Sequence, residues 1–112
     1  MQKGFYVIRG SGAAQLSPPF PRGGQGIVLT ADILDVPGGG VTLQIDVLHK
    51  NLADTSWTPL GSFVGITAIG LAPFDATGLM EQLAISYRVT GGASPQVYDM
   101  FYLDMLAPVW IQ

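Results

Sequence analysis

The sequence predicts an all-β domain, an antiparallel β-sandwich or small jelly roll of about seven to eight strands. Three observations carry that expectation. Val41, Leu43, Ile45 and Val47 alternate with Thr42, Gln44 and Asp46, the period-2 pattern of a strand with one buried face. Leu83, Ile85, Tyr87 and Val89 repeat the pattern against Ala84, Ser86 and Arg88. Glycines and prolines, 15 and 8 of them in 112 residues, then cut the chain into pieces that suit strands better than helices.

Taken in order, residues 4–9 (GFYVIR) are aromatic and β-branched and read as a first strand. Residues 10–26 enclose SGAAQLSPPFPRGGQ, whose prolines forbid a helix and most ladder pairing. This stretch reads as an extended arm or loop, long for a compact domain. Residues 27–35 form a strand with Ile27, Leu29, Ala31 and Ile33 on one side, and a proline–glycine turn at 37–40 leads onward. Residues 40–63 are the organising hairpin: a long alternating strand, a polar turn at 51–56, then a return run with Trp57 placed to close over the apolar face. Ile66 and Ile69 belong to a short run bounded by Gly65 and Gly70, and residues 71–79, with Pro73 and Gly78, read as a connection. Residues 80–90 contain helix-favouring Met, Glu, Gln and Leu, but their alternation makes them a strand with an irregular start. After a loop at 91–95 comes a last strand at 97–105, and an apolar tail at 106–110 that Pro108 keeps from a central ladder position. The whole chain, 1–112, is expected to be one domain, able to bury roughly two-thirds of its unfolded surface.

Composition sharpens the functional question. Only 12% of residues are charged while 48% are hydrophobic, and mean hydropathy is +0.38. Ordinary domains carry about 25% charge, so some apolar surface is expected to remain outside the core, as at an interface. With a net charge of −3 and five scattered bases (Lys3, Arg9, Arg22, Lys50, Arg88), no track for nucleic acid is formed. The same scarcity argues against anionic membranes. No cysteine is present, which removes disulfides and thiolate metal sites. No apolar run reaches the roughly 20 residues of a membrane span, and residues 1–10 lack a signal-peptide core, so a soluble chain is expected.

Motifs for chemistry are sparse. His49 is the sole histidine and falls in phase with Val41 to Val47, as a strand-end residue of the buried face would. The eight acidic residues are isolated; a facing Asp32–Asp46 pair, or His49 near Asp46, is all that a small enzyme could draw on, and solvent-facing carboxylates are the simpler reading. Asp54 and Thr55 suit a turn whose side chains bond nearby backbone. Walker A, GxSxG and HExxH motifs are missing, and Gly38-Gly39-Gly40 enters a strand instead of opening a helix, so phosphate has no cradle. No catalytic, cofactor or metal residue is therefore assigned. Trp57, Tyr87, Tyr98, Phe101, Tyr102 and Trp110 offer a sugar-stacking platform as an alternative, although alternating aromatics are more often core.

The hairpin VTLQIDVLHKN…DTSWTPLGSF, followed by EQLAISYRVTGG and FYLDMLAPVW, resembles the small β-sandwich virion proteins encoded in the structural gene clusters of tailed bacteriophages. Auxiliary, or decoration, proteins on the capsid exterior are among them. The similarity covers residues 41–110. It implies a structural, non-enzymatic protein, made in the host cytoplasm and bound to the virion. Its expected partners are itself, often as a trimer, and the major capsid protein or another virion protein. A carbohydrate- or receptor-binding adhesion module is the other class the pattern admits. For partner contact the sequence offers Leu16 and Phe20 in the arm, and Val109, Trp110 and Ile111 near the C-terminus, apolar residues that gain by burial.

Overall fold

The computed structural model describes residues 2–8, 14–37, 40–91 and 99–112. Ten strands make up two antiparallel sheets packed face to face. They are β1 (Gln2–Ile8), β2 (Gln15–Leu16), β3 (Phe20–Pro21), β4 (Gly26–Asp35), β5 (Val41–Lys50), β6 (Thr58–Ser62), β7 (Gly70–Thr77), β8 (Gln82–Gly91), β9 (Met100–Met105) and β10 (Val109–Ile111).

Pairing makes each sheet four lanes wide. In one, β1 pairs with β9 and β9 with β4, while β7 covers the opposite edge of β4. The short β10 lies in the same lane as β9, because both pair with the edge of β4 that faces away from β7. In the other sheet β2 and β3 share the lane beside β8, followed by β5 and β6. The lane orders β1–β9–β4–β7 and β2/β3–β8–β5–β6 change sheet at every connection except the β5–β6 hairpin, the β2–β3 break and the β9–β10 break. That succession is jelly-roll connectivity.

Alternation builds the core. Every odd residue of β5 from Val41 to His49 is buried and every even one half-exposed. Leu83 and Ile85 of β8 extend that row within the same sheet, and Ile27, Leu29, Ala31 and Ile33 of β4 join the core from the facing sheet with Phe101 and Leu103 of β9. Aromatic pairs tie the layers together: Phe5 of β1 stands edge-on to Tyr87 of β8 at 5.1 Å, and Phe63 stacks with Phe74 of β7 at 5.3 Å. Phe20 of β3 leans on Trp110 of β10 at 6.3 Å, and the indole lies against Gly23 so closely that a Cβ there would fall 2.7 Å from it.

Three expectations are corrected. Residues 71–79 are mostly strand, because β7 is an edge strand and tolerates Pro73. The Thr30 carbonyl accepts from the Leu106 N–H in the β9/β10 lane, so Thr30 turns its polar groups away from β7. Its partner Pro73 then turns its nitrogen to the free margin, and no ladder bond is lost. Trp57 does not close over the core. A bulge at Leu60, between the Val47–Gly61 and Leu48–Pro59 pairs, reverses the phase of the return strand. Trp57 ends up beside Lys50, whose Nζ lies 5.3 Å from the ring centre, and Leu60 and Phe63 supply the packing instead. Residues 66–69 contribute only the single bridge of Ile66 to Leu43.

The proline-rich segment is docked where it is described. Gln15–Leu16 and Phe20–Pro21 pair with β8 on either side of Pro18-Pro19. Ser17 repairs the gap: its N–H donates to the Ile85 carbonyl, and its Oγ accepts the Ile85 N–H, each at 2.8 Å. A side-chain oxygen thus takes a place the prolines leave open in the ladder. Residues 10–13 of that segment, Arg9, Gly38, Gly39, the loop at 92–95 and the strand start at 97–98 lie outside the described residues.

All four sheet margins are interrupted. Beyond Pro73 in β7, β6 carries Pro59 beside its bulge, and β2/β3 is split by prolines. β1 bulges between Gln2 and Phe5, where Gly4 takes a φ of +56° and a Cβ would meet the Tyr102 hydroxyl at 2.6 Å.

Candidate functional site

The sequence-based candidates separate by layer. His49 points inward, buried, and its Nδ1 accepts the Met80 N–H at 3.2 Å, as a satisfied strand-end histidine would. This end of the sandwich is tied by further bonds: Arg22 donates to the Leu79 carbonyl at 2.7 Å, and the Leu52 N–H to Glu81 at 3.0 Å. Asp54 caps its own turn by accepting the Asn51 N–H at 2.9 Å. Tyr87 lies in the core, where burial pushes its phenol above the ordinary value.

Asp32 and Asp46 do not face each other. Asp32 lies on the outer face of the β4 sheet and Asp46 on the outer face of the β5 sheet, with the core between them. Periodicity assigned both to outward positions without saying which sheet each belonged to. Asp46 accepts from Gln44 at 2.8 Å and from Ser62 at 2.6 Å. Asp32 stands directly opposite Asp104 of β9, and Asp104 accepts the Gly4 N–H. Among the described residues, no group of three or more metal-ligating side chains gathers.

Of the apolar contact candidates, Phe20 and Trp110 are half-buried against each other and the core, while Leu16, Val109 and Ile111 are exposed. Val109 and Ile111 lie on a larger feature, the outer face of the β1–β9–β4–β7 sheet. There Tyr6 (52% exposed), Met100, Leu34, Leu71 (68%), Val109 (63%) and Ile111 all show apolar surface. Tyr6 packs on Tyr102 at 4.6 Å with the rings tilted by 51°, which is not the flat shelf that sugar stacking favours. Four carboxylates, Asp32, Asp35, Asp75 and Asp104, stand on this face by the alternation and register of their strands. Lys3, in the β1 bulge, is the described base nearest to it in the sheet register.

An open groove of about 330 Å³ borders the same face, lined by Ile33 and by residues 64–73. Its walls carry no ionisable side chain, and Val64 beside it is 88% exposed. Such a lining offers an apolar group a seat, with the Thr67 hydroxyl as its side-chain polar group. The site reasoning from sequence missed Leu71, which lies in a stretch that reads as a connection, and it put Leu34 on the outer side of its strand with Val28, Thr30 and Asp32 without taking it as a contact residue. No protein-family model, no curated protein and no solved structure matches the chain.

Proposed function

We propose that this protein is a non-enzymatic virion structural protein that docks on an assembled protein lattice, as an auxiliary, or decoration, protein of a phage capsid. One observation carries the reading: a sheet face whose exposed side chains are largely apolar, on a chain with only 12% charged residues. The monomer leaves Leu71, Val109 and Ile111 in water, and apolar side chains gathered on one exposed face are a common mark of an interaction surface. Jelly-roll connectivity supports the reading, since capsid domains commonly use it, although lectins and cupins share it. His49 and Asp46 are engaged in bonds that serve the fold.

Cosedimentation with purified phage capsid shells tests this, alongside sedimentation velocity of the free protein for its oligomeric state. The expected result is saturable binding to shells. A protein that stays in the supernatant at every shell concentration, yet binds an immobilised glycan, would overturn the reading in favour of an adhesion module.

A further inference from the structure

The margins direct a partner to a face. A strand adding to an edge needs a continuous row of donors and acceptors, and each margin is broken by a proline or a bulge. The two faces then differ. On the β8–β5 face, Asp46, Gln44 and Ser62 satisfy one another. On the β9–β4 face, half-buried Asp32 accepts no hydrogen bond from a described residue and lies directly opposite Asp104. Like charges set across a strand pair cost stability, and a cation brought in from outside removes that cost. A second copy laid face to face would add carboxylates to carboxylates, so charge disfavours self-pairing here.

We infer that the outer face of the β1–β9–β4–β7 sheet is the docking surface, and that its occupant is a protein surface presenting a lysine or arginine among apolar side chains. The cation seats between Asp32 and Asp104, and the apolar groups cover Leu71, Val109 and Tyr6. Four lanes about 4.8 Å apart and about eight residues long give roughly 500 Å² per side, or about 1,000 Å² in total, the lower bound for a specific interface. This inference rests on the lattice-docking reading and names the face and the chemistry of that contact.

The test uses the full chain and two probes: capsid shells, and phenylguanidinium, a flat apolar cation. Wild-type protein should bind shells with an affinity that falls as salt rises. Asp32→Asn should weaken binding roughly three- to tenfold and flatten the salt dependence. Leu71→Glu should weaken it by more than about tenfold, while Arg88→Glu on the opposite face leaves it unchanged. In a nuclear magnetic resonance titration, phenylguanidinium should shift amides of β4 and β9 in wild type and not in Asp32→Asn. Because Asp32 and Leu71 face outward, thermal unfolding should confirm that both variants fold. If shells bind wild type and both variants equally, the docking face lies elsewhere and only this inference falls. If shells are ignored but phenylguanidinium selects the face, the lattice reading falls and the face stands. If neither probe engages the face, both fall.

Discussion

On the outside of the β8–β5 sheet, Asp46 accepts hydrogen bonds from Gln44 and Ser62; on the outside of the β9–β4 sheet, Asp32 looks across at Asp104 and accepts none from a described residue. Both carboxylates occupy mid-strand outward positions, and both strands bury an unbroken aliphatic row on the reverse side. The inner faces therefore follow one rule, because both must exclude water from the same core. The outer faces answer to different surroundings. On one, the central polar groups Asp46, Gln44 and Ser62 bond among themselves. The other leaves leucine, valine and an opposed pair of aspartates open, and the proposed docking rests on that surface.

The comparison breaks most readily at the core. Leu43→Ala or Ile45→Ala, on the inner row of β5, should cost about 2–5 kcal/mol, measured by chemical denaturation. Leu71→Ala, on the outer apolar face, should stay within about 0.5 kcal/mol. Equal losses at the two positions would mean that the outer face is part of the fold's own packing.

Tyr87 distinguishes the inner layer from both outer faces by pH. Burial holds its phenol above the ordinary value, so the folded state retains the proton more firmly than the unfolded chain does. That contribution is complete below about pH 10 and is lost as pH rises above it. Denaturation midpoints should therefore fall on the alkaline side, and Tyr87→Phe should flatten the decline. An unchanged alkaline profile in the variant would place the titrating group elsewhere.

The two carboxylates give the smallest and most discriminating pair. Asp46→Ala removes the shared acceptor of Gln44 and Ser62 and should cost about 1 kcal/mol. Asp32→Asn relieves a like-charge pair and should be neutral, or stabilising by up to about 0.5 kcal/mol. Opposite signs from two outward aspartates would confirm that one is held for the fold and the other is not. A clear loss at Asp32 would show that it has a structural role after all.

Legibility in the sequence followed packing. β4, β5 and β8 are central strands, and their alternation showed which residues lie inside, save Ala84, which is buried although out of phase. β7 was hidden because an edge strand needs only one good ladder side and tolerates Pro73 with glycines close by. Trp57 was misplaced by a single bulged residue, Leu60, which no periodicity announces before the register is known. The outer apolar face was half visible: Val109 and Ile111 stand out in the sequence and Leu34 falls on the outer side of its strand by alternation, whereas Leu71 gains meaning only from sheet order. The opposition of Asp32 to Asp104 joins residues 72 positions apart, and strand pairing alone reveals it.

The broken margins also govern how copies of this chain behave at high concentration. Proteins usually stay dispersed by mutual charge repulsion, and with 12% charged residues this one has little of it. What keeps neighbours from zipping together is a backbone row with gaps in it, so that a cross-β stack has no continuous template to copy. Pro73 supplies one such gap, since the free edge of β7 lacks a donor at that position. Backbone geometry thus limits strand addition at the edges, independently of how much charge the faces carry.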